Sequence, residues 1–408
     1  MRKKRKWKIS ASFIKAFKAC AYRCFAQYIL GIRVIEEAET LRMGTNWHRL
    51  LEVLRMDTSQ PCPVCSVEGP DEDCDICGGG MKLSEDPLDN VMNALNVAYA
   101  DKPLSKSLAE WEAEREKMWT CLVGYYNYYK DDDYEVVAQE VPFEIPLMTK
   151  TGRALPGVVL VGKIDKITRS PEGQLYIDEH KSTSKPIDSD SLYWAHLVLD
   201  TQTTLYTYAA RALQLWGELE QYGIKSSDPL IAGIRLDAWH KPQIKPKKLT
   251  IAESKKFVET GEYMGEKFVI EVDKENMLII AVNDVVAEVV PAKKEGQYAI
   301  RETAEMYGQR MFQDIVADPS KYYARKNIAR TDDDLIRFEK ELNGIYRTVK
   351  FMEKQGDPAF FWKSEDQCEA TFKCPYIKTC YANAVLDPDN PPDGFRCIYK
   401  KEVTDGVG

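Results

Sequence analysis

The chain has 408 residues, 44% of them hydrophobic and 29% charged, with a formal net charge of −8. That balance suits a globular protein with a sizeable core and not a disordered chain, and no run of about 18 apolar residues, as a membrane span requires, occurs. A negative bulk charge leaves nucleic-acid contact to local basic patches. The 11 cysteines are many for a reducing compartment, where clustered thiols hold metal more often than disulfides. The basic start "MRKKRKWKIS" leads into an amphipathic stretch instead of the apolar core of a secretory signal, so a cytoplasmic protein is expected.

In chain order, residues 11–30 repeat apolar groups at helical spacing, with Ser10 or Ser12 as N-cap and Cys20 and Cys24 on one face. A second helix is predicted to start near "GTNWHRLLEVLRM", capped by Thr45 or Asn46. Residues 60–80, rich in Cys, Gly and Pro, interrupt the helical pattern as an insertion, and helical signals return across 87–130. From 135 to 182 the period becomes that of strands: "EVVAQEVPFEIPL", "GVVLVGKIDKI" and "QLYIDEHKS", the last two joined as a hairpin. A helix at 192–217, the strand "LIAGIRLDAWH" and helices near 303–316 and 333–354 follow, whereas 245–300 mixes both periods. There is no internal repeat. The implied division is 1–55 and 83–240 as N-terminal helices and core, 56–82 as an insertion, 241–355 as an accessory segment and 356–408 as a cysteine-rich end.

Alternation along a strand turns Glu179 and Lys181 to one face and Asp178 and His180 to the other. Asp165, at the end of the preceding strand, can reach Glu179 through the hairpin. Two carboxylates suit a hard divalent cation, and a lysine on that face can hold a water or counter charge on a phosphate. The plain alternative is a strand-end salt bridge. The order "GKID", 13 residues, then "EHK" resembles the signature of the PD-(D/E)xK nuclease superfamily. The resemblance implies that Asp165 and Glu179 bind magnesium or manganese and that Lys181 is catalytic. It extends to the RecB-like branch, with Gly44 and the additional metal ligand His48 in "MGTNWHRLLE", and Gln202 and Tyr206 in "TQTTLYTYAA". There the implied roles are orienting the lysine and holding substrate phosphates; packed structural roles are the alternative for all three side chains. His180 is kept as a further candidate ligand. The implied fold class is α/β, a restriction-endonuclease-like core in which helices flank a central mixed sheet, with a zinc-knuckle insertion and a C-terminal cysteine-rich segment closing onto the N-terminal helix.

"CPVCSVEGPDEDCDICGGG" places Cys62, Cys65, Cys74 and Cys77 as two CxxC pairs eight residues apart, the pattern of a closed tetrahedral zinc site. Metal would fold a segment with almost no apolar residues of its own. Cys368, Cys374 and Cys380 are each separated by five residues and lack a fourth ligand. Many RecB-like nucleases carry an iron–sulfur cluster, of the 4Fe-4S kind, on one cysteine of the first helix and three near the C-terminus, and "CPYIKTC" resembles that ending. Cys20 then stands for the distant ligand, with Cys24 a substitute. Ala21 replaces the frequent proline and the Cys368–Cys374 gap is longer than usual, so zinc or uncoordinated thiols stay open. Cys121 and Cys397, without partners by spacing, read as buried small hydrophobes.

The resemblance implies DNA exonuclease action on ends or single strands, in recombination, repair or phage DNA metabolism, as in standalone phage-encoded and CRISPR-associated relatives. The arm "RKKRKWK" and "KPQIKPKK" at 241–248 are candidate backbone tracks or plain solvated faces. No Walker-type loop accompanies them. The rival reading is a non-catalytic DNA-binding or assembly scaffold that recruits a protein partner through the zinc insertion. A zinc hydrolase is excluded by only 4 scattered histidines.

Overall fold

The computed structural model describes residues 6–35, 39–69, 71–72, 74–149, 151–273, 280–294, 296–370 and 373–399. Residues 2–5 of the basic arm lie outside these, while Lys6 pairs with Glu144 at 2.6 Å. The N-terminal part runs β1 (Trp7–Ile9), α1 (Ala11–Ala19), α2 (Ala21–Cys24), β2 (Ile32–Val34), α3 (Glu39–Leu54), α4 (Pro63–Glu68), α5 (Pro87–Ala98) and α6 (Leu108–Tyr129). The middle runs β3 (Glu135–Met148), β4 (Ala154–Arg169), β5 (Leu175–Thr183), α7 (Leu192–Leu197), α8 (Thr201–Leu215) and β6 (Gly233–His240). A small unit follows: α9 (Ile251–Thr260), then β7 (Glu262–Tyr263), β8 (Glu266–Lys267), β9 (Ile270–Val272), β10 (Ile280–Val282), β11 (Val285–Val286), β12 (Val289–Pro291) and β13 (Tyr298–Ile300). The chain closes through α10 (Ala304–Ala317), β14 (Tyr323–Ala329), α11 (Asp332–Gln355), α12 (Ile377–Tyr381) and β15 (Phe395–Cys397).

The core is a six-stranded mixed sheet, β1-β4-β5-β6-β14, with β3 on the other edge of β4. Strands β3, β4 and β5 are antiparallel, β6 runs parallel to β5, and β1 runs parallel to β4. Helices α1, α8 and α11 bury one face of this sheet, around Phe13, Ile177, Leu205 and Leu236. The other face packs against α3, α5, α6 and α10 through Trp47, Leu50, Tyr125 and Trp239. The expected fold class is therefore what the chain adopts. Residues 249–306 build a separate small core around Phe257 and Ile280.

The functional opening comes from β4. Its edge pairs with β1 up to Leu160 and with β5 from Lys166 onward, so residues 161–165 have no strand partner there. On the other edge Gln139 pairs with Lys166 and Val141 with Ile164, and the Glu140 between them is left-handed at φ 52°. Ile164 and Ile167 consequently reach the same core, which unbroken alternation forbids. Asp165 sits at that irregularity.

Several element boundaries differ from the sequence reading. Ser10, not Ser12, caps α1, accepting from the Phe13 amide at 3.2 Å, but the helix breaks at Cys20, whose backbone is extended. Helix α3 begins at Glu39, so Thr45 and Asn46 lie inside it and cap nothing; the apolar stripe simply continues upstream through Met43. The helix expected at 192–217 is divided by Asp200, whose carboxylate accepts from the Thr203 amide and restarts the chain as α8. Strand β14 was not anticipated, because "YARKNIA" alternates too weakly; with α11 it carries part of the expected accessory segment into the core. Among the described residues no helix is long and apolar enough to cross a membrane.

Candidate active site and cysteine centres

Helix α3 crosses the opening in β4 and presents His48, whose Nδ1 stands 3.3 Å from Asp165 Oδ2. The alignment misses a hydrogen bond, and Asp165 Oδ2 is buried with no hydrogen-bond partner among the described residues. Burial pushes the Asp165 carboxyl up, but His48, His180 and Lys181 outweigh it and hold the carboxyl below its ordinary value. A cavity of about 270 Å³ lies here, lined by His48, Asp165, Lys166 and His180 and flanked by Arg49 and Arg55.

Extending the Lys166–Asp178 register by one position sets Glu179 across from Asp165. Glu179 is 1% exposed; its Oε1 accepts from Lys181 Nζ at 2.6 Å and Gln202 Nε2 at 2.7 Å, whereas Oε2 has no partner among the described residues. Burial, reinforced by the Asp165 charge, raises its carboxyl despite Lys181. Lys181 also donates to Gln202 Oε1 at 2.6 Å. Burial opposes its charge, but Glu179 and Asp200 hold the ammonium above the ordinary lysine value. Tyr206, one turn beyond Gln202 on α8, packs edge-on against Phe143, and burial raises its hydroxyl. Asp200, unremarked in sequence, bridges to Lys15 at 2.7 Å.

His180 points away from Glu179, as alternation predicts, with Nδ1 3.5 Å from Asp237 Oδ2 and its ring edge-on to His48 at 5.9 Å. Burial depresses its pKa, against the pull of Asp237. On that face Asp178 accepts from Arg235 Nε and Nη2, Lys166 and Thr168 at 2.6–3.0 Å. Asp237 accepts from Arg325 and Tyr125, and Asp132 bridges Arg235 and Arg325. The sequence reading passed over this network, although charges inside the apolar strand "GIRLDAWH" were its signal.

Residues 8–381 match the PD-(D/E)XK nuclease superfamily. The chain belongs to it. Members of this superfamily are typically nucleases that use divalent ions such as magnesium or manganese. A search of curated proteins finds no match.

In this member of the superfamily Cys62, Cys65, Cys74 and Cys77 bring their sulfurs within 4.8 Å of one another, the one such convergence of three or more His, Cys, Asp or Glu ligand atoms among the described residues. Asp165, Glu179 and His48 are thus more widely spaced as a trio. The Cys62–Cys74 and Cys65–Cys77 distances are 3.7 and 3.6 Å, close to the edge of about 3.8 Å for sulfurs about 2.3 Å from a tetrahedral ion. Burial opposes ionisation of Cys74, but the Cys77 and Ile76 amides aimed at it hold the thiol below its ordinary value.

The second set is more open. Cys20, Cys368, Cys374 and Cys380 line one cavity of about 230 Å³. The C-terminal segment closes on α2 through Tyr22 N to Trp362 O at 3.0 Å, Phe25 stacked on Phe361, and β15 paired with β2. Cys24 is fully buried near Phe13 O and does not line the cavity, so it is no substitute for Cys20. Cys121 is buried as expected; Cys397, on β15, is only half-buried, because that strand lies at the surface.

Proposed function

We infer that this nuclease is a metal-dependent deoxyribonuclease of the RecB-like branch, an exonuclease on DNA ends or single strands in recombination, repair or phage DNA metabolism, working in the cytoplasm. The observation that carries the reading is the pair of buried carboxylate oxygens, Asp165 Oδ2 and Glu179 Oε2, which among the described residues have no hydrogen-bond partner, at the opening of the sheet. Left so, each opposes folding; magnesium or manganese would satisfy both, with His48 and His180 as nearby nitrogen donors. Such an ion supplies Lewis acidity and a more acidic bound water. The chain's own part follows from its hydrogen bonds. In this reading Lys181, held charged and clamped by Gln202, counters negative charge building on a phosphate, and Tyr206 holds a neighbouring phosphate.

The cysteine sets fit two further groups. The tetrahedral spacing of Cys62, Cys65, Cys74 and Cys77 suits zinc. Cys20, Cys368, Cys374 and Cys380 surround a cavity suited to an iron–sulfur cluster, whose iron core separates its thiolates more than a single ion does. In that role the cluster joins the first helices to the end of the chain.

The test is digestion of labelled single- and double-stranded DNA with magnesium or manganese, with 5′ or 3′ ends blocked. Free ends should be consumed and closed circles spared; equal cutting of circles would overturn the exonuclease reading. Lys181→Ala should slow cleavage by about 10²–10³-fold, and wild-type turnover in that variant would overturn the catalytic assignment. Anaerobically purified protein should contain iron that Cys20→Ser loses and Cys24→Ser keeps; equal iron in both variants would remove Cys20 from the ligand set.

A further inference from the structure

Helix α3 serves two sites at once. Its Thr45, His48 and Arg49, with Arg55 just past its end, line the cavity beside Asp165. Its opposite stripe, including Trp47, Leu50 and Leu54, shares a core with Cys62, Cys65, Cys74 and the fully buried Ile76 of the cysteine knuckle. Arg49, the residue after His48, reaches over with Nη2 3.3 Å from Asp75 Oδ2, and Asp75 lies between Cys74 and Cys77. From α5, Asn93 Nδ2 donates to Ile76 O at 3.2 Å. The neck of the insertion is pinched where Pro61 bridges to Lys82 and the Cys62 amide donates to Met81 O at 3.0 Å.

We propose that metal in the four-cysteine knuckle positions His48, so that the nuclease centre assembles fully only when the knuckle is loaded. Trp47, stacked on Trp239 at 4.0 Å, holds α3 against the sheet; its N-terminal half is tied to α6 by Arg42 and Glu114, while the turn that carries His48 and Arg49 is braced by the knuckle and α5. The knuckle has few apolar side chains of its own, and without an ion its thiols lose the constraint that places Ile76 and Asp75. Consecutive residues of one hydrogen-bonded helix share a rigid backbone, so a shift at Arg49 is a shift at His48. Asp75 is a positioning residue in this arrangement; Arg49, which lines the cavity itself, carries its hold to the helix.

The inference rests on the nuclease-centre reading. It is tested by titrating manganese, followed by electron paramagnetic resonance, into zinc-loaded and chelator-stripped protein, each as wild type and as His48→Ala. Stripping zinc should weaken manganese binding about tenfold in wild type, the scale on which supporting shells act, and add nothing in His48→Ala. Asp75→Ala, with zinc retained, should lose affinity in the same direction and by less. Unchanged affinity on stripping, or an equal loss in the His48→Ala background, overturns the proposal. Should stripped protein lose its cooperative melting, zinc-loaded Asp75→Ala and Arg49→Ala decide the matter, and wild-type manganese affinity in both overturns it. Failure of zinc-loaded wild type to bind manganese would instead sink the nuclease-centre reading, and this inference with it.

Discussion

Asp178 and Glu179 are consecutive residues of β5, both buried, and the two faces of the strand treat their carboxylates in opposite ways. Asp178 has partners for both oxygens, from Arg235, Lys166 and Thr168, which hold its carboxyl down to about 2 against the pull of burial. Glu179 has both of its partners on one oxygen, keeps the other bare, and is raised by burial. A buried carboxylate with a complete shell belongs to the fold; one with an empty valence belongs to a ligand.

The largest expected effects separate these faces. Asp178→Asn should destabilise the protein by about 3–5 kcal/mol, because it leaves Lys166 buried without its paired carboxylate and Arg235 with Asp132 alone, as urea unfolding would show. Glu179→Gln should destabilise by less, because Lys181 keeps Gln202 and the Asp200 charge and the desolvation of the bare Oε2 is relieved, yet lower cleavage by about 10²–10³-fold. Equal destabilisation by both variants would erase the distinction.

A half-buried carboxylate sharpens it. Glu116, against Gly308, is pushed up to about 7 by burial, which outweighs the Arg115 charge. Its folded value lies above the ordinary 4.5, so the protonated form supports the fold at low pH and that support is lost as pH rises through about 7. Glu116→Gln should therefore stabilise at pH 8 by up to about 3 kcal/mol, with the gain vanishing toward pH 4; unfolding curves at both values check this. The smallest effect is expected of Gln202→Ala, which leaves Glu179 and Lys181 paired but unclamped: kcat about tenfold lower with stability little changed, measured by steady-state cleavage and melting.

Much of the active face was legible because its signals are local. Alternation along "YIDEHKS" put Glu179 with Lys181 and His180 with Asp178, and a spacing of four residues put Gln202 and Tyr206 on one face of α8. The partners of Asp178 were not legible, since Arg235 lies 57 residues away on a strand whose neighbour is set by topology. The left-handed Glu140, on β3 across from the opening at Asp165, has no sequence mark, because neither Gly nor Asn stands there.

By itself the sequence determined what acts within a few residues: strand faces, the two CxxC pairs whose spacing already confines four sulfurs, and the N-cap at Ser10. Only the tertiary structure decided that Cys20 and not Cys24 faces the C-terminal cysteines, that β14 completes the sheet, and that β4 opens at Asp165. The physical reason is range. Backbone periodicity and short-loop closure act along the chain, whereas burial and ion pairing depend on which distant surfaces meet, and no single segment carries that information.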